Sequence, residues 1–232
     1  MHRLILGVTL GLTFTATVAA APQGMPPPAE CPRGVTAVTE RFIDADCADC
    51  WTRQSLPPAA SAHWVLDWIV PSARGDDAPL APAATREAAD RIGRIGERVW
   101  TSEGLGTWRT PLRAGASPSL SVASGPAWHG YLALQVDSRG PWPRGASVWL
   151  ALVEAVPEGT DGTPVARRLV RAVAGPLDLA QLANGRTVRD LRALRWPETA
   201  QPARLRATAW IETADGRIVA MAAERCPWRP RR

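Results

Sequence analysis

At 232 residues with a net charge of +5, the chain is long enough for one large domain or two small ones and is only mildly basic. All 27 basic residues are arginine, as a GC-rich coding bias produces, and they are interleaved with 22 acidic residues, a scatter that argues against a dedicated nucleic-acid surface. The sequence has no G-x-S-x-G elbow, no H-E-x-x-H, no Gly-rich phosphate loop and no dinucleotide fingerprint, so no cofactor is expected.

Residues 1–20 begin with His2 and Arg3, run apolar from Leu4 to Val18 and close on Ala19-Ala20. That pattern predicts a cleaved signal peptide and a periplasmic or secreted protein; a retained anchor is the alternative, although the run is shorter than the ~20 residues a membrane span needs. No later stretch is apolar enough to cross a bilayer. Residues 21–33 include "APQGMPPPAE" and read as a disordered leader. Gly34 to Ile43 alternate and are rich in β-branched residues, which predicts a strand. "DADCADC", Asp44 to Cys50, comes next, and "ADCWTRQSL" is expected to begin a helix that Pro57 and Pro58 stop. His63 to Val70 form a near-continuous apolar run, the pattern of a buried strand, with Asp67 inside it. Ala84, Ala88, Ile92 and Ile95 then recur at helical spacing. Strand, Cys pair at a helix start, strand and helix together predict an α/β region over 34–112. Over 113–226, strand-like segments such as "SVWLALVEAV" and "RLRATAWIET" are separated by Gly/Pro turns. A short helix is expected over Leu177 to Leu182, and Asp215-Gly216 is a two-residue hairpin signal. This half is expected to be antiparallel, β-rich and sandwich-like. Residues 227–232 form a basic tail, read as solvated or as a weak contact for anionic envelope surfaces.

The four cysteines are Cys31, Cys47, Cys50 and Cys226. An even count in an exported chain points to disulfides. Cys31 and Cys226 lie near the two ends of the mature chain and are expected to pair, which leaves Cys47 for Cys50. Three readings of this C-x-x-C compete. As a redox pair at a helix N-terminus, Cys47 is the nucleophile and Cys50 the resolving thiol. Asp67 is then either a proton acceptor for Cys50 or a structurally hydrogen-bonded carboxylate. Asp44, Asp46 and Asp49 oppose thiolate formation, so the pair is not expected to be a strong oxidant. As a metal site the pair supplies two of four ligands, and His63 and His129 lie at no finger-like spacing, so no metal is expected. As a staple it only closes a turn.

Of eleven tryptophans, Trp64, Trp68, Trp149 and Trp210 fall in predicted strands and are expected in the core. Trp128, Trp142 and Trp228 adjoin loops or ends, where an indole can stack on a sugar or meet a protein partner.

The ordered set "VTERFIDADCADCWTR" (Val38 to Arg53), "LDWI" (Leu66 to Ile69), "DDAPLAP" (Asp76 to Pro82), "TREAADRI" (Thr85 to Ile92) and "VWTSEG" (Val99 to Gly104) resembles the corresponding stretches of a secreted thioredoxin-like family of unknown function. The resemblance implies a thioredoxin-like N-terminal half. It also implies weak thiol–disulfide exchange through Cys47 and Cys50 on an unknown protein partner. Two positions depart from the family pattern. Trp51-Thr52 stand where the family has Pro-Pro, and Thr101-Ser102 stand where it has Thr-Pro, so Ser102 replaces the proline that shapes the substrate groove. Thr110-Pro111 supplies a proline only with a shifted loop. The rival expectation is a non-catalytic envelope interaction module in which the same bridge is structural.

Overall fold

The computed structural model describes residues 35–53, 63–96, 99–102, 104–113 and 118–224. The expected signal peptide, leader, basic tail, Trp228 and the Cys31–Cys226 bridge all lie outside these residues.

β1 (Ala37–Asp44) and β2 (His63–Val70) form a parallel pair with Ala37 opposite His63 and Asp44 opposite Val70. β2 reads as a near-continuous apolar run because both of its faces are covered, whereas β1 also buries Glu40 and Arg41, each of which has an ionic partner. Between them the chain makes only a single 3-10 turn at Asp49–Trp51, followed by the cap residue Thr52. α1 (Arg86–Ile95) starts at Thr85, whose hydroxyl accepts the Ala88 N–H, and ends at Gly96, whose φ of +90° suits glycine. β3 (Trp100–Ser102) and β4 (Leu105–Pro111) then form a hairpin.

The second half contributes β5 (Ser119–Trp128), β6 (Tyr131–Arg139), β7 (Ser147–Val156), β8 (Arg167–Asp178), α2 (Leu179–Leu182), β9 (Thr187–Arg195), β10 (Leu205–Glu212) and β11 (Ile218–Ala223). The Asp215-Gly216 turn joins β10 to β11, with Gly216 at φ +81° and its N–H donating to Thr213. Two sheets result. Eight strands run in the order β11-β10-β7-β8-β2-β1-β4-β3, and three in the order β5-β6-β9.

This arrangement corrects the expectation of a thioredoxin-like α/β half followed by a separate β-rich half. The molecule is mostly β, with two α-helices among the described residues. No α-helix begins at the Cys pair within residues 47–53. The free edge of β2 is taken by β8, which pairs in parallel with Asp67 opposite Leu169. Strands of both regions therefore build one continuous sheet. The physical reason lies in β7 and the first part of β8, which are buried on both faces and so belong at the centre of a sheet.

Each face of the large sheet is covered. α1 packs on one face over Trp64, Trp68, Trp149 and Trp210, all at most 7% exposed, as their positions in strands predicted. The three-stranded sheet packs on the other, enclosing Leu134, Val136, Leu150, Leu152 and Ile211. A third, smaller cluster gathers Ile43, Cys50, Trp51, Ile69 and Leu169 at the end of β1.

Candidate functional site

β1 ends at Asp44, and the chain turns at once. The Asp46 N–H donates to the Asp44 carboxylate, the Cys47 N–H to the Asp44 carbonyl and the Cys50 N–H to the Cys47 carbonyl. These tight local bonds bring Cys47 and Cys50 to a Cα–Cα distance of 5.2 Å, and they form a disulfide. The two sulfurs differ in surroundings. Cys50 is 1% exposed and belongs to the third core cluster, whereas Cys47 is half-buried at its margin.

Two neighbouring segments hold the turn in place. Leu80 N–H donates to the Ala45 carbonyl, and Asp44 N–H donates to the Gly104 carbonyl at 2.8 Å. Gly104 has a φ of +75°, and a Cβ there would lie 3.0 Å from the Cys47 Cβ. Glycine thus satisfies both the turn and the close approach of the β3–β4 hairpin to the disulfide.

Beneath the turn lies a buried charge cluster. Asp67 accepts two bonds from Arg41, at 2.7 and 2.8 Å, one from the Arg167 guanidinium at 3.4 Å and one from the Arg168 N–H at 3.1 Å. A carboxylate has about four lone-pair sites, and these donors occupy them. Asp67 is therefore a counter-ion for two arginines, an arrangement that leaves little room for proton transfer from Cys50. Arg167 reaches upward from Asp67 and donates to the carbonyls of Cys50, at 3.2 Å, and of Trp51. Its guanidinium also stands over the Trp51 ring, 5.1 Å from the centroid. Burial lowers the Arg167 pKa, against the opposing pull of Asp67. Arg168, with burial as its cause, falls further, to about 10.

Trp51 is clasped from the segment before β8. Its indole N–H donates to the Asp161 carbonyl, and the single hydroxyl hydrogen of Thr163 is shared between the carbonyls of Trp51, at 3.1 Å, and Val165, at 2.8 Å. Beyond Trp51 a cleft of about 180 Å3 opens, lined by Leu80, Glu154, Leu169 and Arg171 among others.

The structure thus brings Cys47, Cys50 and Asp67 into one region but supplies no α-helix end within residues 47–53. Ser102 ends the short edge strand β3, near Gly104. Among the described residues the cis peptide bonds are Gly140–Pro141 and Gly175–Pro176, and Thr101–Ser102 and Thr110–Pro111 are not among them. His63 lies 3.4 Å from Arg109, and His129 packs against Trp128, both away from the Cys turn. No group of three His, Cys, Asp or Glu side chains that could hold a metal gathers among the described residues. No helix among them is long and apolar enough to cross a membrane.

Sequence reasoning overlooked Arg167 and Thr163. A signal existed for the first: Arg167-Arg168 open a predicted apolar strand, just as Asp67 interrupts another, and charges in such places require partners. No family model, curated protein or solved structure matches the chain, so the family resemblance rests on the residues quoted above alone.

Proposed function

We propose that the protein is an exported thiol–disulfide exchange protein that acts on a protein partner through Cys47 and Cys50. The observation that carries this reading is the asymmetry of the bridge, half-buried at Cys47 and fully buried at Cys50. An incoming partner thiolate reaches the Cys47 sulfur; the S–S bond breaks, and Cys50 departs with the electron pair. A second partner thiolate then attacks the partner sulfur of the mixed disulfide and releases Cys47. The partner has lost two electrons and two protons, and the Cys pair has gained them. The reverse sequence reduces a partner disulfide. The N-terminal apolar segment supports a location outside the cytoplasm, where such exchange is useful.

The pair is a weak oxidant. Asp44, Asp46 and Asp49 flank it, and the single 3-10 turn at Asp49–Trp51 offers no helix dipole to stabilise a thiolate. The test is the reduction potential, measured by thiol trapping and mass spectrometry in glutathione buffers. A value between about −270 and −120 mV supports exchange, whereas one below about −300 mV makes the bridge a staple.

A specific observation favours a second reading, an interaction module with a structural bridge. Trp128, Leu191 and Tyr131 are 75%, 62% and 45% exposed in the three-stranded sheet. Under that reading Cys47→Ser lowers stability and leaves the partners unchanged, whereas Trp128→Ala loses them.

A further inference from the structure

The Cys50 side of the turn is moored from one stretch of chain. Asp161 accepts from the Trp51 indole, Thr163 donates to the Trp51 carbonyl, and Arg167 donates to the carbonyls of Cys50 and Trp51. Arg167 is itself 1% exposed and fixed at its other end by Asp67, whose two oxygens both accept from Arg41. Cys50 is thereby attached to the junction at which β2 meets β8. The Cys47 side is held differently, by its N–H on the Asp44 carbonyl and by packing against Gly104.

We propose that Arg167 is a positioning residue that sets the redox equilibrium of the pair by keeping Cys50 in place when the S–S bond opens. This inference rests on the exchange reading of Cys47 and Cys50. Reduction by glutathione converts the bridge and two glutathione molecules into two protein thiols and glutathione disulfide. How readily the thiols reclose depends on the effective concentration of one sulfur at the other. A moored Cys50 keeps its sulfur close to Cys47, favours closure and lowers the potential. Loosening the mooring makes the pair easier to reduce.

Arg167→Lys in the full-length chain tests this, because lysine retains a charge for Asp67 but loses the fork that spans carboxylate and carbonyls. The readout is the equilibrium constant for reduction in glutathione buffers, with free thiols trapped and counted by mass. An increase of about tenfold is expected, equivalent to about 30 mV for a two-electron couple. Thr163→Val removes one donor to the Trp51 carbonyl and leaves the ion cluster intact, so it stays informative should the lysine variant fail to fold; an increase of about threefold is expected. A purely structural role lowers the melting temperature of oxidised and reduced forms alike and leaves the constant unchanged, which overturns the proposal. A decrease also overturns it, because the guanidinium then serves to stabilise the Cys50 thiolate. Failure of the exchange reading appears separately, as a wild-type potential below about −300 mV.

Discussion

The large sheet buries an arginine–carboxylate cluster on each of its faces, and the two clusters differ in how they are closed. On the α1 face, Arg91 donates to both oxygens of Glu40, at 2.9 and 2.7 Å, and to Glu212 at 2.7 Å. Glu212 also accepts from Arg94 and from the Trp210 indole. Burial opposes the Arg91 charge, but the two glutamates outweigh it, and its pKa rises above the ordinary value. On the opposite face Arg167 shares a single carboxylate with Arg41, and its pKa falls. Its Nε–H has no acceptor among the described residues, and its remaining donors go to main-chain carbonyls at the Cys turn. The Arg91 cluster is thus saturated and clamps helix to sheet, whereas the Arg167 cluster directs its surplus donors to the main chain at Cys50 and Trp51.

The largest effect that separates the two comes from Arg91→Leu. It leaves Glu40 and Glu212 buried without their shared partner, at a cost of about 3–5 kcal/mol. Urea unfolding measures that loss. The glutathione equilibrium of Cys47–Cys50 stays within about twofold of wild type, less than the ~1.4 kcal/mol that a tenfold change represents. A parallel change in both quantities would break the distinction between the clusters.

Gly104→Ala is intermediate. The left-handed backbone costs a residue with a side chain about 1–2 kcal/mol, and the new methyl presses on the Cys47 Cβ. The expected result is a lower unfolding midpoint together with faster labelling of Cys47 in the reduced protein, read by alkylation kinetics.

The smallest effect is at Asp137, on the three-stranded sheet away from both clusters. Desolvation raises its pKa, but hydrogen bonds from Arg189 and Gln135 outweigh that and hold the carboxylate below its ordinary value of 3.8. A depressed native pKa contributes stability above pH 3.8 that disappears as the pH falls through the native value. Asp137→Asn therefore causes a small loss at pH 7, because the pair is largely solvent-screened, and none in strong acid. Urea midpoints at the two pH values check this.

Much of the secondary structure was legible in the sequence. β2 and β7 occupy the predicted runs His63–Val70 and Ser147–Val156, because strands covered on both faces have few polar interruptions. β9, "TVRDLRALR", carries no clear strand pattern because three arginines and an aspartate obscure its apolar face, which consists mainly of Val188 and Leu194. The fold class is not legible locally, because the register of β8 against β2 is a tertiary choice that no local pattern records. The Cys pair was visible as a motif. Its mooring was not, since Arg167 lies 117 residues from Cys50.

Asp67 and Arg167 are 100 residues apart in the chain. A nascent polypeptide that has already emitted β1, the Cys turn and β2 therefore still presents a bare strand edge and an incompletely neutralised carboxylate. Neither is resolved until β8 emerges. Contacts this distant slow folding, and open strand edges invite association between chains in the interval. The N-terminal strands are made early and completed late, so any chain truncated before Arg167 is expected to aggregate rather than fold as a smaller version of the same protein.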